Sequence, residues 1–149
     1  MRIYVDADAC PVKEIIEEVA KEYSIPVTMV IDVNHILHSD YSEIVTVSQG
    51  ADSVDIALIN RVQKGDIVVS QDYGVAALSL GKGAYAIGNS GLWYTKDNID
   101  RLLFERFMHG KVRRAGKMGR CQGPKKRTGE DDDNFRKSFI KLINNLRRT

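Results

Sequence analysis

The sequence predicts an α/β domain built on a mostly parallel sheet. Two observations carry that prediction. First, the chain opens strand, helix, strand. Arg2–Val5 is a short apolar run, residues 12–23 carry a helical period, and Val27–Ile31 is a short β-branched run of the kind parallel sheets bury on both faces. Second, three acidic stretches either follow a short apolar run or open a helical pattern. They are Val5-Asp6-Ala7-Asp8-Ala9-Cys10, Gly50-Ala51-Asp52-Ser53-Val54-Asp55 and Ser70-Gln71-Asp72-Tyr73-Gly74. In a parallel sheet, ligands gather outside the carboxyl ends of the strands. Asp6, Asp8, Asp52, Asp55 and Asp72 are therefore expected to converge on one rim. Carboxylates held together repel, so such a rim requires a cation, and oxygen ligands suit a hard one.

The elements follow in order. Pro11 suits the first position of a helix, where a missing N–H costs nothing. Val12, Ile15, Ile16, Val19, Ala20 and Tyr23 then form its apolar face, and Ser24-Ile25-Pro26 ends it. Asp32–Glu43 is polar and reads as a loop. Ile44–Val47 reads as a strand, and Asp52–Val62 as a helix with Val54, Ala57, Leu58 and Val62 inward. Lys64-Gly65-Asp66 is a turn, Ile67–Val69 a strand, Val75–Leu80 a short helix and Ala84–Ile87 a last strand. Asp97 opens a helix through about Met108, with Ile99, Leu102, Leu103 and Phe107 inward. Residues 111–129 read as a flexible basic loop. Residues 130–149 read as a terminal helix, with Phe135, Phe139, Leu142, Ile143 and Leu146 docked on the body.

One domain is the natural reading of 149 residues, and 43% hydrophobic with 28% charged residues is enough apolar material for a core. No apolar run approaches a membrane span and no signal peptide is expected, which favours the cytoplasm and reduced thiols at Cys10 and Cys121. The net charge of +2 hides an asymmetry. Residues 1–110 sum to −7 and residues 111–149 to +9. Lys111–Arg127 holds eight Lys/Arg and no acid. An acidic body with a basic segment points to a polyanionic partner, with Lys111, Arg113, Arg114, Lys117, Arg120, Lys125, Lys126 and Arg127 as its contacts. A solvated basic surface is the plain alternative.

Each acidic stretch has a structural alternative. Asp6 and Asp8 would serve as helix caps, but one cap needs one acid, not two. Asp52 and Asp55, three apart, share a helix face and also suit its dipole. Asp72 sits in a strand-to-helix turn, where capping explains it as well. His35 and His38 are read as plain loop histidines, since nothing nearby completes a zinc set. Cys10 is read as a packing residue, because neighbouring carboxylates would raise its pKa. Gly88-Asn89-Ser90-Gly91 is read as a tight turn.

Several stretches together resemble the YaiI/YqxD family of bacterial proteins. They are the first acidic stretch through Val12, Gly50–Asp55, Gly65-Asp-Ile-Val-Val-Ser-Gln-Asp-Tyr-Gly74, Tyr94-Thr-Lys-Asp-Asn-Ile99 and Gly123-Pro124. The body is more distantly similar to PIN-like nuclease domains of the NYN type. That resemblance implies a three-layer Rossmann-like fold with strand order 3-2-1-4-5 and metal-dependent cleavage of RNA. Asp6, Asp55 and Asp72 match its acidic positions, with Asp52 sharing the second. Gln71 stands where many relatives have glycine. The fourth acid has no clear counterpart in Asn89 or Asp97, and Asp8 is a replacement for it.

The leading expectation is a ribonuclease using Mg²⁺ or Mn²⁺, in which carboxylate-held ions activate water and neutralise phosphate charge. Asp6, Asp8, Asp55 and Asp72 would be catalytic, with Asp52 joining them as metal ligands. A non-catalytic RNA-binding module of the same fold is the alternative. A haloacid-dehalogenase-like phosphatase with Asp6 as nucleophile is a third.

Overall fold

The computed structural model describes residues 1–48, 53–114 and 126–148. In chain order the elements are β1 (Ile3–Asp6), α1 (Lys13–Tyr23), β2 (Val27–Asp32), β3 (Glu43–Val47), α2 (Ser53–Arg61), β4 (Ile67–Val69), α3 (Tyr73–Gly81), β5 (Tyr85–Ile87), β6 (Trp93–Tyr94), α4 (Ile99–Arg114) and α5 (Gly129–Arg147). The strands form one sheet in the order β3-β2-β1-β4-β5-β6. All neighbours are parallel except β5 and β6. The fold is thus α/β with a mostly parallel sheet, in the order expected, plus an antiparallel edge strand too short to be read from sequence.

Period-two alternation in the strands sorts the core into two faces. Ile3, Val5, Val27, Met29, Ile31, Ile67, Val69 and Ile87 point to one face and meet Ile16 and Val19 of α1 and Phe135, Phe139 and Ile143 of α5. Tyr4, Val30 and Val68 point to the other, against Leu58 of α2, Val62 just after it and Val75 of α3. Ala86 on that side meets Ala76 of α3 with Ile99 and Leu102 of α4. Helices on both faces of the sheet make three layers.

The terminal helix is built into the core. Phe135, Phe139 and Ile143 are fully buried, and the two phenylalanine rings stack at 5.3 Å. A capping box starts the helix: Thr128 Oγ1 accepts from the Asp131 N–H and Asp131 Oδ2 accepts from the Thr128 N–H. These bonds hold the Asp131 carboxyl below the usual range, the backbone bond from Thr128 most of all.

Several boundaries differ from the sequence reading, among them that of α3, which spans Tyr73–Gly81 rather than Val75–Leu80. Helix α1 starts at Lys13, with Pro11 and Val12 in the preceding turn. Helix α4 begins at Ile99 rather than Asp97. Thr95 and Asn98 close its entrance by a reciprocal pair of bonds, Thr95 N–H to Asn98 Oδ1 at 2.8 Å and Asn98 N–H to Thr95 Oγ1 at 3.3 Å. Helix α4 also continues to Arg114, so Lys111, Arg113 and Arg114 belong to a helix rather than to the start of a loop. Phe107 is exposed, not inward, because the apolar face that α4 turns to the body runs through Ile99, Leu102 and Leu103. Asp52, Lys117, Arg120, Cys121 and Lys125 lie outside the described residues.

Candidate functional site

Strand register builds the rim. Val5 pairs with Val69 across β1 and β4. Asp6 and Ser70 therefore leave neighbouring parallel strands at one level. The buried Ser70 links them: its Oγ donates to Asp6 Oδ2 at 3.2 Å and accepts the Asp72 N–H at 3.0 Å. On the other side, β2 outruns β1. The Asp32 N–H, near the end of β2, donates to Asp8 Oδ1 at 3.0 Å. Asp6, Asp8 and Asp72 thus gather at the carboxyl ends of adjacent strands, where a parallel sheet places its ligands.

Neither Asp6 nor Asp8 caps α1, whose N-terminus has no side-chain cap. Asp72 does cap α3, its Oδ1 accepting from the N–H groups of Gly74 at 2.8 Å and Val75 at 3.2 Å. All three carboxylates are held through one oxygen. The second oxygens, Asp6 Oδ1, Asp8 Oδ2 and Asp72 Oδ2, accept no hydrogen bond from a described residue. His35, read as a plain loop histidine, stands with Nδ1 3.2 Å from Asp8 Oδ1, while His38 is exposed.

The electrostatics centre on Asp6. Burial pushes its carboxyl above the usual range, the charges of Asp8 and Asp72 push it further, and the Ser70 bond opposes them. No Lys or Arg among the described residues pairs with Asp6, Asp8 or Asp72. A carboxyl whose pKa is higher folded than unfolded favours folding most when protonated, below its unfolded value. That contribution is lost as pH rises through the folded value. Metal-free wild type is therefore expected to lose stability relative to Asp6→Asn as pH climbs from roughly 4, the ordinary carboxylate value. Asparagine keeps an acceptor for Ser70. At neutral pH the variant should melt higher than the wild type. Thermal melts at pH 4 and pH 7 check this: the gap should open only at pH 7.

Asp55 lies in the first turn of α2 and lines, with Asp72, a cleft of about 370 Å³ between α2 and α3. A second cleft, of about 250 Å³, opens on the other side of the Asp72 turn and is lined by Gln71, Tyr73 and residues of α4.

Among the described residues, no three His, Cys, Asp or Glu side chains stand close enough together to hold an ion by themselves. The donor set fits Mg²⁺ or Mn²⁺ nonetheless. Mg²⁺ keeps several waters and binds through one or two carboxylates plus substrate phosphates, rather than in an all-protein cage. Carboxylates fixed through one oxygen and open at the other suit that mode.

The turn after β5 supports the rim from behind. The Asn89 N–H donates to Gln71 Oε1 at 2.5 Å. A Cβ on Gly88 would lie 2.7 Å from the Tyr94 hydroxyl and 2.8 Å from Gln71 Oε1, so only glycine fits there without a shift. Asn89 is buried, with Oδ1 3.8 Å from Cys10 Sγ. Burial pushes the Cys10 thiol up, which agrees with a packing role. Arg127, read as a loop cation, is fixed instead: Nε donates to Asp132 Oδ1 at 2.6 Å and a terminal nitrogen donates to the Asn89 carbonyl at 2.8 Å. Lys111 and Lys126 are exposed. Ser70 and Asp32 were not singled out in the sequence. A serine closing an apolar run gives no signal until β1 and β4 are known to be neighbours.

Residues 4–145 match the family described as "Uncharacterized BCR, YaiI/YqxD family". The chain belongs to the YaiI/YqxD family. A UPF0178 protein of Clostridium acetobutylicum is 59% identical over 143 residues, 96% of this chain and 97% of the relative. One from Clostridium tetani is 55% identical over 148 residues, 99% of this chain and all of the relative. Among solved structures, Rae1 (YacP) from Bacillus subtilis, as a W164L mutant, is similar at 15% identity and a TM-score of 0.45. It covers 97% of this chain and 99% of its own. No helix among the described residues is long and apolar enough to cross a membrane.

Proposed function

We propose that the rim of Asp6, Asp8 and Asp72 binds Mg²⁺ or Mn²⁺ and hydrolyses phosphodiester bonds of single-stranded RNA. The observation that carries this reading is the Asp6 carboxylate: half-buried, pressed by two neighbouring acids, and without a cationic partner among the described residues. A fold keeps such a group at a cost in stability, and a bound cation removes that cost. When bound, a divalent ion supplies an activated water and charge neutralisation on the phosphate. The chain's own residues do the positioning. Ser70 ties Asp6 to the Asp72 turn, the Asp32 amide holds Asp8, and the first amides of α3 hold Asp72. Asp6 Oδ1, Asp8 Oδ2 and Asp72 Oδ2 are the atoms left to face the ion. Asp55 and Asp52 are the further acids of this reading, and Asp55, in the first turn of α2, would orient water. Lys111, Arg113, Arg114, Lys117, Arg120, Lys125 and Lys126 would contact the backbone of the strand, which positions RNA without reading its sequence. Arg127 would have to leave Asp132 and Asn89 to join them.

The test is a time course with labelled single-stranded RNA and p-nitrophenyl phosphate, each with Mn²⁺ and with chelator. RNA cleavage only in Mn²⁺, with no p-nitrophenol released, is expected. Release of p-nitrophenol would favour the phosphatase. RNA bound but uncut would leave a binding module.

A further inference from the structure

The cleft between α3 and α4 lies outside the acidic rim yet shares its turn: Gln71 and Tyr73, which line it, flank Asp72 in sequence. From α4 it receives Leu102, Glu105, Arg106 and His109, at the three- and four-residue spacings of one helix face. Its charge is one-sided. Glu105, the acid lining it, is paired with Arg101 at 3.0 Å. Arg106 has no carboxylate partner among the described residues. Its guanidinium instead lies 5.4 Å from the centroid of the Tyr73 ring. That ring is braced edge-on by the buried Tyr94, with centroids 5.7 Å apart. A guanidinium stacked on a ring is oriented while its N–H donors stay free at the ring's edge.

Resting on the ribonuclease reading above, we propose that this cleft is a phosphate subsite. Arg106 and His109, with the Gln71 amide, hold a backbone phosphate of the same RNA strand next to the one at the aspartates. The chemistry required is a fixed cation and several donors facing a dianion-free, singly charged phosphodiester, and the cleft supplies them. It also answers an electrostatic need. Residues 1–110 sum to −7, so a strand approaching the rim is repelled unless a cation close to the rim receives it. A guanidinium held in place loses less rotamer entropy on binding than a free one.

The experiment is fluorescence anisotropy with a short labelled oligouridylate and no divalent ion, across a salt series. It uses the full chain, Arg106→Ala with His109→Ala, and Arg106→Lys. The double variant is expected to bind about tenfold more weakly, the loss of roughly 1.4 kcal/mol. Its log–log salt slope should shrink by about 0.7, the value for one phosphate contact on a single strand. Arg106→Lys should keep the slope. Calorimetric Mn²⁺ affinity should stay unchanged in the double variant, which a distorted Asp72 turn would not allow. Wild-type affinity and slope in the double variant would overturn the subsite while leaving RNA as the partner. Weaker Mn²⁺ binding in the double variant would overturn it too, by assigning the effect to the turn. No RNA binding by the wild type would sink both the subsite and the ribonuclease reading.

Discussion

Asp72→Asn is expected to lower Mn²⁺-dependent RNA cleavage at least about a hundredfold, because ion-mediated stabilisation of a phosphoryl transition state amounts to several kcal/mol. The substitution is chosen for what it preserves. Asp72 does two things with its two oxygens. Oδ1 caps α3 through Gly74 and Val75, and Oδ2 is left to the rim. Asparagine caps a helix about as well as aspartate, so Asp72→Asn should melt within a degree or two of the wild type. Asp72→Ala removes the cap as well and should cost about 1 kcal/mol in addition. Equal loss of activity in the two variants, with a stability loss only in the alanine variant, separates charge at the rim from capping. Cleavage retained in Asp72→Asn would mean that the cap is all the residue does.

Phe135→Ala should produce the largest loss of stability, about 3–5 kcal/mol, the usual range for a buried phenylalanine. Such a loss is a large share of the roughly 5–15 kcal/mol that holds a domain together. Phe135 is fully buried in one cluster with residues of the sheet and of α1, and its ring stacks on Phe139, which is equally buried. The cavity would open beneath the start of α5, where Ser138 Oγ donates to the Gly91 carbonyl at 2.5 Å and Arg127 reaches the Asn89 carbonyl. The turn behind Gln71 should loosen with it. Urea denaturation measures the first effect, and faster amide exchange at residues 88–91 than in the rest of the sheet edge would report the second. A loss under 1 kcal/mol would make α5 an appendage rather than part of the core.

The amphipathic helices were legible because their apolar faces are complete: Ile16, Val19 and Ala20 in α1 and Phe135, Phe139, Leu142 and Ile143 in α5 are all buried. Asp6 and Asp72 were legible because each follows an apolar run that became a central strand. What holds them was not. Ser70 acts through the pairing of two strands more than sixty residues apart, information that no local pattern contains. The end of α4 was misread for a different reason. Lys111-Val112-Arg113-Arg114 has charge without apolar period, which imitates a loop although lysine and arginine are good helix formers. Composition alone does not separate Arg127 from the other cations of its stretch. Its partners, Asp132 and Asn89, lie on α5 and on a distant turn. Strand β6 has two residues and leaves no periodic trace.

The most direct measurement is anomalous scattering from crystals soaked in Mn²⁺, for the wild type and for Asp6→Asn with Asp72→Asn. A peak within coordination distance of Asp6 Oδ1 or Asp72 Oδ2 is expected in the wild type, and its absence in the double variant. A wild-type map with no peak at the rim, or with its peak at His35 and His38 instead, would contradict the assignment of the aspartates as a metal centre.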